Sequence, residues 1–155
     1  HTLATCNRIA LPALEEIGGS FQVAYFPVLT EFDLASLNRI GGSLGLISLD
    51  ALTGISDFST LTEIGGGIGV STMATLTSLD GLHGFISLTH ISVSNNLALS
   101  DITTLHSLDT VEGTFNFFAN RSLDPSAVDA LIAAIGEEDI GGTITNMWNG
   151  SEYPD

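Results

Sequence analysis

The sequence predicts an all-β repeat solenoid, in which successive turns of the chain stack as parallel strands. Two observations support this prediction. The apolar pattern of residues 37–58 returns 24 positions later in residues 61–82, and an apolar-x-apolar triplet recurs at steps of 23 or 24 residues. The triplets are Phe21/Val23, Leu44/Leu46, Ile68/Val70, Ile91/Val93 and Phe115/Phe117. Units of this period bury their apolar side only against neighbouring units.

Each triplet alternates like a short strand, with its two apolar side chains on one face. Two further columns keep the same period and predict ladders inside the coil: Leu29, Leu52, Leu76, Leu99, Leu123 and Ile17, Ile40, Ile64, Leu88, Val111. Glycine runs at 18–19, 41–42 and 65–67 precede three of the strands. We expect these glycines where the chain turns a corner that side chains would crowd.

The C-terminal part departs from the repeat. From Asp124 the spacing of apolar residues predicts a short helix that begins near Pro125 and ends at Gly136. The residues expected to face the core are Val128, Leu131, Ile132 and Ile135. Residues 141–145, GGTIT, then repeat the glycine corner and strand pattern and predict a last strand.

We expect a single solenoid domain over residues 1–155. Residues 1–16 form an irregular N-terminal turn or cap, 17–123 the regular repeats, and 124–155 a capping helix with a last strand. The apolar residues assigned to the first turn are Leu3, Ile9, Leu11 and Leu14.

The charge balance is strongly acidic, with 18 Asp and Glu against three Arg, no Lys, and a formal net charge of −15. Such a surface repels phosphate backbones and anionic lipids, so we expect neither nucleic acid nor a membrane as partner. No apolar run approaches the roughly 20 residues of a membrane span. The acidic surface suits an extracellular or cell-surface location. Cys6, the one cysteine, has no internal partner; an ordinary thiol and a bridge to an upstream segment both stay open.

Residues 76–82, LTSLDGL, and 91–96, ISVSNN, carry a resemblance to a known family. They resemble the leucine-rich-repeat-like receptor L domains, most closely the bacterial cell-surface members, over roughly residues 14–146. The resemblance implies a right-handed parallel β-helix of about six turns with a non-enzymatic role in recognition or adhesion. It also implies a structural asparagine after the strand, at Asn95 or Asn96 and at Asn120. The family has no catalytic motif to carry over.

The outward positions of the strands are the candidate binding surface. A rigid, shallow platform of small side chains loses little entropy on binding a protein or glycan at the cell surface. The alternative is that Ser, Thr and Gly simply tolerate close strand spacing. The candidate ligand-binding residues are Gln22, Ile47, Gly69, Ser71, His90, Ser92, Asn116, Phe118 and Met147.

No cofactor is expected, although two weak metal hypotheses arise. His83 and His106 are 23 residues apart, so they would stack on adjacent turns about 5 Å apart, with Asp80 or Asp109 as a third ligand. Exposed corner histidines are the alternative. Acidic corners could bind calcium weakly or be merely solvated; they are Asp33, Asp57, Asp80, Asp101 and Asp109.

Three other patterns complete the predictions. Glu16, Arg39 and Glu63 share one column and predict a stack of exposed ion pairs. Asn120-Arg121-Ser122 and Asn149-Gly150-Ser151 match the glycosylation sequon.

Nucleophile-elbow, phosphate-loop and zinc-protease motifs are absent from the sequence. A carbohydrate-active β-helical enzyme using paired carboxylates such as Asp57 and Asp80 stays an alternative. A binder of ice or crystal surfaces is another, although the regular Thr-x-Thr ladder expected of such a binder occurs on only one of the predicted strands, at Thr143 and Thr145.

Overall fold

The computed structural model, which describes residues 5–150, is a parallel β-solenoid of about five turns with one helix near the C-terminus. The predicted solenoid is therefore confirmed, with about five turns in place of six. The strands are β1 (Arg8–Ala10), β2 (Glu16–Ile17), β3 (Phe21–Ala24), β4 (Glu31–Asp33), β5 (Arg39–Ile40), β6 (Leu44–Ile47), β7 (Glu63–Ile64), β8 (Ile68–Ser71), β9 (Ser87–Leu88), β10 (Ile91–Ser94), β11 (Thr110–Val111), β12 (Phe115–Phe118) and β13 (Ile144–Met147).

One six-stranded sheet, the main sheet, runs the length of the coil in the order β13-β12-β10-β8-β6-β3. All its pairs are parallel, and the predicted triplets lie in register: Val70 pairs with Leu46 on one side and with Val93 on the other. Three smaller sheets, β2-β5-β7, β9-β11 and β1-β4, form the other sides.

The predicted apolar columns form the core. Every member of the leucine column from Leu29 to Leu123 is fully buried. In the second column, Ile40, Leu88 and Val111 are buried, whereas Ile17 in the first turn is only partly covered. Because burial of apolar surface is the main favourable term in folding, these ladders stabilise the stack of turns.

The glycine corners are required by the closeness of successive turns. A Cβ on Gly41 would lie 2.5 Å from the Gly18 carbonyl oxygen, and one on Gly65 would lie 2.3 Å from that of Gly41. Any side chain at these positions would overlap the backbone of the preceding turn. In the first turn, by contrast, a Cβ on Gly18 or Gly19 would meet no described atom within 4 Å.

A residue with left-handed backbone follows each main strand. The φ angles lie between 53° and 64°, a region that residues other than glycine seldom occupy. The six residues are Tyr25, Ser48, Thr72, Asn95, Ala119 and Trp148. They share a position but no chemistry, so the repeat pattern did not reveal them.

The one α-helix of residues 5–150, α1 (Pro125–Ile135), confirms the predicted start, end and buried face. The Asp124 carboxylate caps it by accepting from the Ser126 side chain and from its backbone N–H, at 2.8 and 2.9 Å, and these bonds lower the pKa of Asp124. Gly136, with φ of 94°, ends the helix. The helix packs against the 3-10 turn Thr103–Ser107 and β13. Within residues 5–150 no helix is long and apolar enough to span a membrane.

The first turn is more regular than expected, because β1 pairs with β4. Ile9 and Leu14 pack against the core, whereas Leu11 is exposed. Leu3 lies outside the described residues. The Cys6 thiol is free and lies 3.4 Å from the Arg8 carbonyl oxygen.

Candidate functional site

The outward residues of the main sheet form one continuous surface, here called the outer face. Its first row runs Gln22, Gly45, Gly69, Ser92, Asn116, Thr145, and its second runs Ala24, Ile47, Ser71, Ser94, Phe118, Met147. Eight of the nine candidate ligand-binding residues lie in these rows, and His90 directly precedes β10. The structure thus brings the nine to one side of the coil; their binding role stays a prediction.

The outer face contains no Asp, Glu or Arg, although the chain has 18 acidic residues. The acidic residues of residues 5–150 lie outside these two rows, for example Glu16 and Glu63 on β2 and β7 of another sheet. The charge is therefore segregated away from this surface.

The relief of the outer face is shallow. The Gln22 side chain covers Gly45, and the His90 ring lies against Gly67. Above Gly69 the surface is open, since a Cβ there would meet only the Leu44 carbonyl oxygen, at 3.9 Å. The Asn116 side-chain amide donates to the Ser92 hydroxyl at 3.0 Å. Residues 5–150 enclose no pocket, so a ligand of this face would meet a platform.

An aromatic cluster, here called the aromatic edge, lies at the β13 end of the outer face. The Phe118 and Trp148 rings are 4.8 Å apart between centroids and tilted by 46°. Met147 beside them is 49% exposed, and Trp148 is 40% exposed. The sequence analysis did not include Trp148 among the candidate binding residues. Its position directly after a main strand could have predicted that it lies beside the outer face.

Three asparagines form a buried ladder inside the last turns: Asn96, Asn120 and Asn149. Their side-chain amides donate to the carbonyls of Val70, Val93 and Phe117, at 2.9 to 3.0 Å. Of the two residues proposed for the structural asparagine, Asn96 is the correct one, because Asn95 is the exposed left-handed residue. The sequence analysis did not predict that Asn149 belongs to this ladder.

The asparagines of the two sequon matches lie inside the fold. Asn120 and Asn149 are fully buried and hydrogen-bonded, so neither side chain is accessible for glycosylation. Ser151 of the second sequon lies outside the described residues.

Neither metal hypothesis is supported by a cluster of ligands in residues 5–150. No three His, Cys, Asp or Glu side chains in residues 5–150 lie close enough together to hold a metal ion. His83 directs Nδ1 to the Asp80 backbone carbonyl, at 3.2 Å. Asp101 accepts from the backbone and side chain of Thr103, which lowers its pKa. Weak calcium binding at the corners stays an untested prediction.

Two ion-pair columns lie away from the outer face. The predicted stack is confirmed: Arg39 Nε donates to Glu63 at 2.8 Å, and its Nη1 donates to Glu16. These hydrogen bonds, that to Glu63 first, raise the pKa of Arg39. A second column was missed, in which Arg8 pairs with Glu31 and Asp33 at 3.0 and 2.6 Å. The side chains of both ion-pair columns are partly exposed, so each pair adds little to the stability of the fold. The pairs instead favour the register in which successive turns stack.

Among the carboxyl groups of residues 5–150, that of Asp57 has a raised pKa. Burial is the largest cause at Asp57, and the charges of Glu31 and Asp33 add to it. Asp80, the partner suggested for a carboxylate pair, is not among the groups that shift it.

Comparison with known proteins identified no relative: no protein-family model matches the chain, and neither a curated protein nor a solved structure does.

Proposed function

We propose that this solenoid is a non-enzymatic recognition or adhesion module of the receptor L-domain kind, which binds its ligand on the outer face. One observation carries the proposal: the outer face has no acidic residue in a chain of net charge −15. Depletion of charged residues is the compositional mark of the centre of a protein interface.

The aromatic edge favours a protein ligand over a glycan. Phe, Trp and Met are enriched at protein interfaces, and Trp is frequent among the residues that dominate binding energy. Ser92 and Asn116 supply adaptable hydrogen bonding beside them. The surrounding acidic surface would steer a basic or neutral partner toward the face and repel an acidic one.

The proposed location is the outside of a bacterial cell. It rests on the resemblance of residues 76–82 and 91–96 to bacterial L-domain-like proteins and on the acidic surface. Exposure of the domain to protease added to intact cells is the direct check, with cleavage of a cytoplasmic protein as the control for lysis.

The binding test compares two arginine substitutions. The wild-type domain is first screened against a glycan array and against purified extracellular proteins, and the affinity of each hit is titrated. Gly69→Arg places bulk at the open centre of the outer face, where a Cβ fits. Thr53→Arg is the control, at an exposed position between β6 and the 3-10 turn Ser56–Phe58.

We expect Gly69→Arg to weaken the affinity about tenfold or more and Thr53→Arg to leave it unchanged. The fluorescence of Trp148, the single tryptophan, should change on binding of the same ligand. Equal affinity of both variants would place the ligand elsewhere. Glycan hits without protein hits would replace the protein ligand with a carbohydrate, and turnover of a polysaccharide would overturn the non-enzymatic role.

A further inference from the structure

Asn149 is the one asparagine of the sequence that is followed directly by a glycine. In an Asn-Gly pair, the backbone nitrogen of the glycine can attack the side-chain carbonyl carbon of the asparagine, because no Cβ on the glycine hinders the approach. The new C–N bond closes a succinimide ring and expels the side-chain nitrogen, which leaves as ammonia with the proton of the attacking N–H. Water then opens the ring to aspartate or isoaspartate. The reaction needs no enzyme and no cofactor.

The folded structure holds both reacting groups away from this reaction. Asn149 is fully buried, and its Nδ2 donates to the Phe117 carbonyl at 2.9 Å and to Asn146 Oδ1 at 2.8 Å. Its Oδ1 accepts from the backbone N–H and the side-chain amide of Asn120, both at 3.0 Å. The attacking N–H of Gly150 donates to the Asn120 carbonyl at 3.1 Å. The reaction therefore requires the last turn that the structure describes to open first.

The product does not fit the place of the amide. An ionised carboxylate has no hydrogen to donate, so the Phe117 carbonyl and Asn146 Oδ1 would each face a negative charge in place of a donor. The donors of Asn120 would still reach the carboxylate, but these two oxygens at hydrogen-bond distance would repel it, and burying the charge is itself costly. Isoaspartate adds a methylene group to the main chain as well. Either product hinders the last turn from closing again.

We propose that Asn149–Gly150 is a self-modification site guarded by the fold: opening of the last turn permits deamidation of Asn149, and the acid formed keeps that turn from closing. The asparagine ladder thereby sets a chemical limit on the lifetime of the module. The effect reaches the outer face, since Trp148 directly precedes Asn149 and stacks on Phe118. Loss of the last turn removes the aromatic edge too. The inference does not depend on what the outer face binds.

The first test compares rates of modification at mildly alkaline pH. The samples are the folded protein, the same protein unfolded in urea, and a synthetic peptide of residues 144–155. Cleavage after Arg121 and fragmentation of the C-terminal peptide assign the mass increase to Asn149. The unfolded protein and the peptide should react at similar rates. The folded protein should react at least about tenfold more slowly, because local opening must come first.

A pair of variants tests whether the contacts of Asn149 control this rate. Asn146→Ala removes the acceptor of Asn149 Nδ2, together with two bonds from β13 to α1, and should speed modification of the folded protein about threefold or more. Asn38→Ala is the matched control, because it removes a side-chain bond to the Ser36 carbonyl far from the last turn. It should leave the rate unchanged.

The second test makes the product directly. Asn149→Asp should lower the melting temperature at pH 7 by about 5 °C or more. It should also change the fluorescence of Trp148, the single tryptophan. Asn38→Asp makes the same chemical change at an exposed position before β5 and should do neither. Lowering the pH from 7 to 5 should narrow the gap between Asn149→Asp and wild type, because the protonated acid carries no charge and can donate a hydrogen bond.

Three results would overturn the proposal: modification of Asn149 in the folded protein as fast as in the peptide, a peptide that does not react at Asn149, or Asn149→Asp that melts like Asn38→Asp at pH 7. If Asn149→Asp gives no folded protein, refolding of wild-type chains modified in urea takes its place. These chains should fail to recover the wild-type melting temperature, and full recovery would contradict the proposal.

Discussion

The side-chain oxygen of Asn120 accepts hydrogen bonds from both the backbone N–H and the side-chain amide of Asn96, at 3.1 and 3.2 Å. Asn149 does the same for Asn120, at 3.0 Å for both bonds. At the other end, the Asn96 oxygen accepts from the Met73 N–H at 3.0 Å. Within residues 5–150 no buried side-chain polar atom lacks a partner. Each asparagine side chain thus satisfies one buried backbone N–H and one backbone carbonyl of the preceding turn.

Replacing Asn120 by Leu should lower the free energy of unfolding by about 3 kcal/mol, because the buried N–H of Asn96 loses its acceptor and the carbonyl of Val93 loses a donor. Leu is apolar and suits this column sterically, since Leu49 occupies it in an earlier turn. Urea unfolding measures the change. Asn116→Ala, on the outer face, removes one bond to Ser92 and should cost about 1 kcal/mol or less. A similar loss for both variants would contradict the ladder's role.

Asn120 should not accept a glycan in the folded protein. Its amide nitrogen is buried and bonded to Val93 and Asn149, so the transferase cannot reach it. Incubation of the folded domain with an oligosaccharyltransferase should leave the mass unchanged, whereas a peptide of residues 116–126 should be modified. Modification of the folded domain at Asn120 would show that this turn opens readily.

Gly81→Ala should be among the most destabilising single substitutions in the chain. A Cβ at Gly81 would lie 1.6 Å from the Ile55 carbonyl oxygen of the preceding turn, so the two turns would have to separate. We expect a loss of more than about 3 kcal/mol or failure to fold. Gly54→Ala, with open space around its Cβ, should change stability by about 1 kcal/mol or less. Thermal melting of the pair checks this, and equal melting temperatures would mean that the turns stack less closely.

Asp57→Asn should stabilise the protein at neutral pH and not at pH 3. Burial, and then the charges of Glu31 and Asp33, raise the pKa of Asp57 above 3.8, so the folded state holds its proton more tightly than the unfolded state. Ionised Asp57 therefore weakens folding as pH rises from the ordinary value through the raised pKa. After discount for solvent screening the effect is below about 1 kcal/mol. Melting temperatures of both proteins from pH 3 to 7 measure it; a gain that persists at pH 3 would assign the effect to something other than charge.

Much of this fold follows from the sequence alone. The apolar columns repeat because every turn presents the same inward positions, so the strand register, the outward rows and the Glu16–Arg39–Glu63 stack could all be predicted. The helix was predicted equally well, since its cap and its buried residues are separated by no more than eleven positions along the chain.

The tertiary structure decided the features that depend on which atoms meet across turns. Asn96, Asn120 and Asn149 act together only because successive turns superimpose them, and the last step of 29 residues hides Asn149 from a period of 23 or 24. The stacking of Trp148 on Phe118 and the open space at Gly18 likewise depend on distances between turns. Periodicity in a sequence determines which residues face inward, whereas contact geometry determines which polar atoms pair and which surfaces stay open.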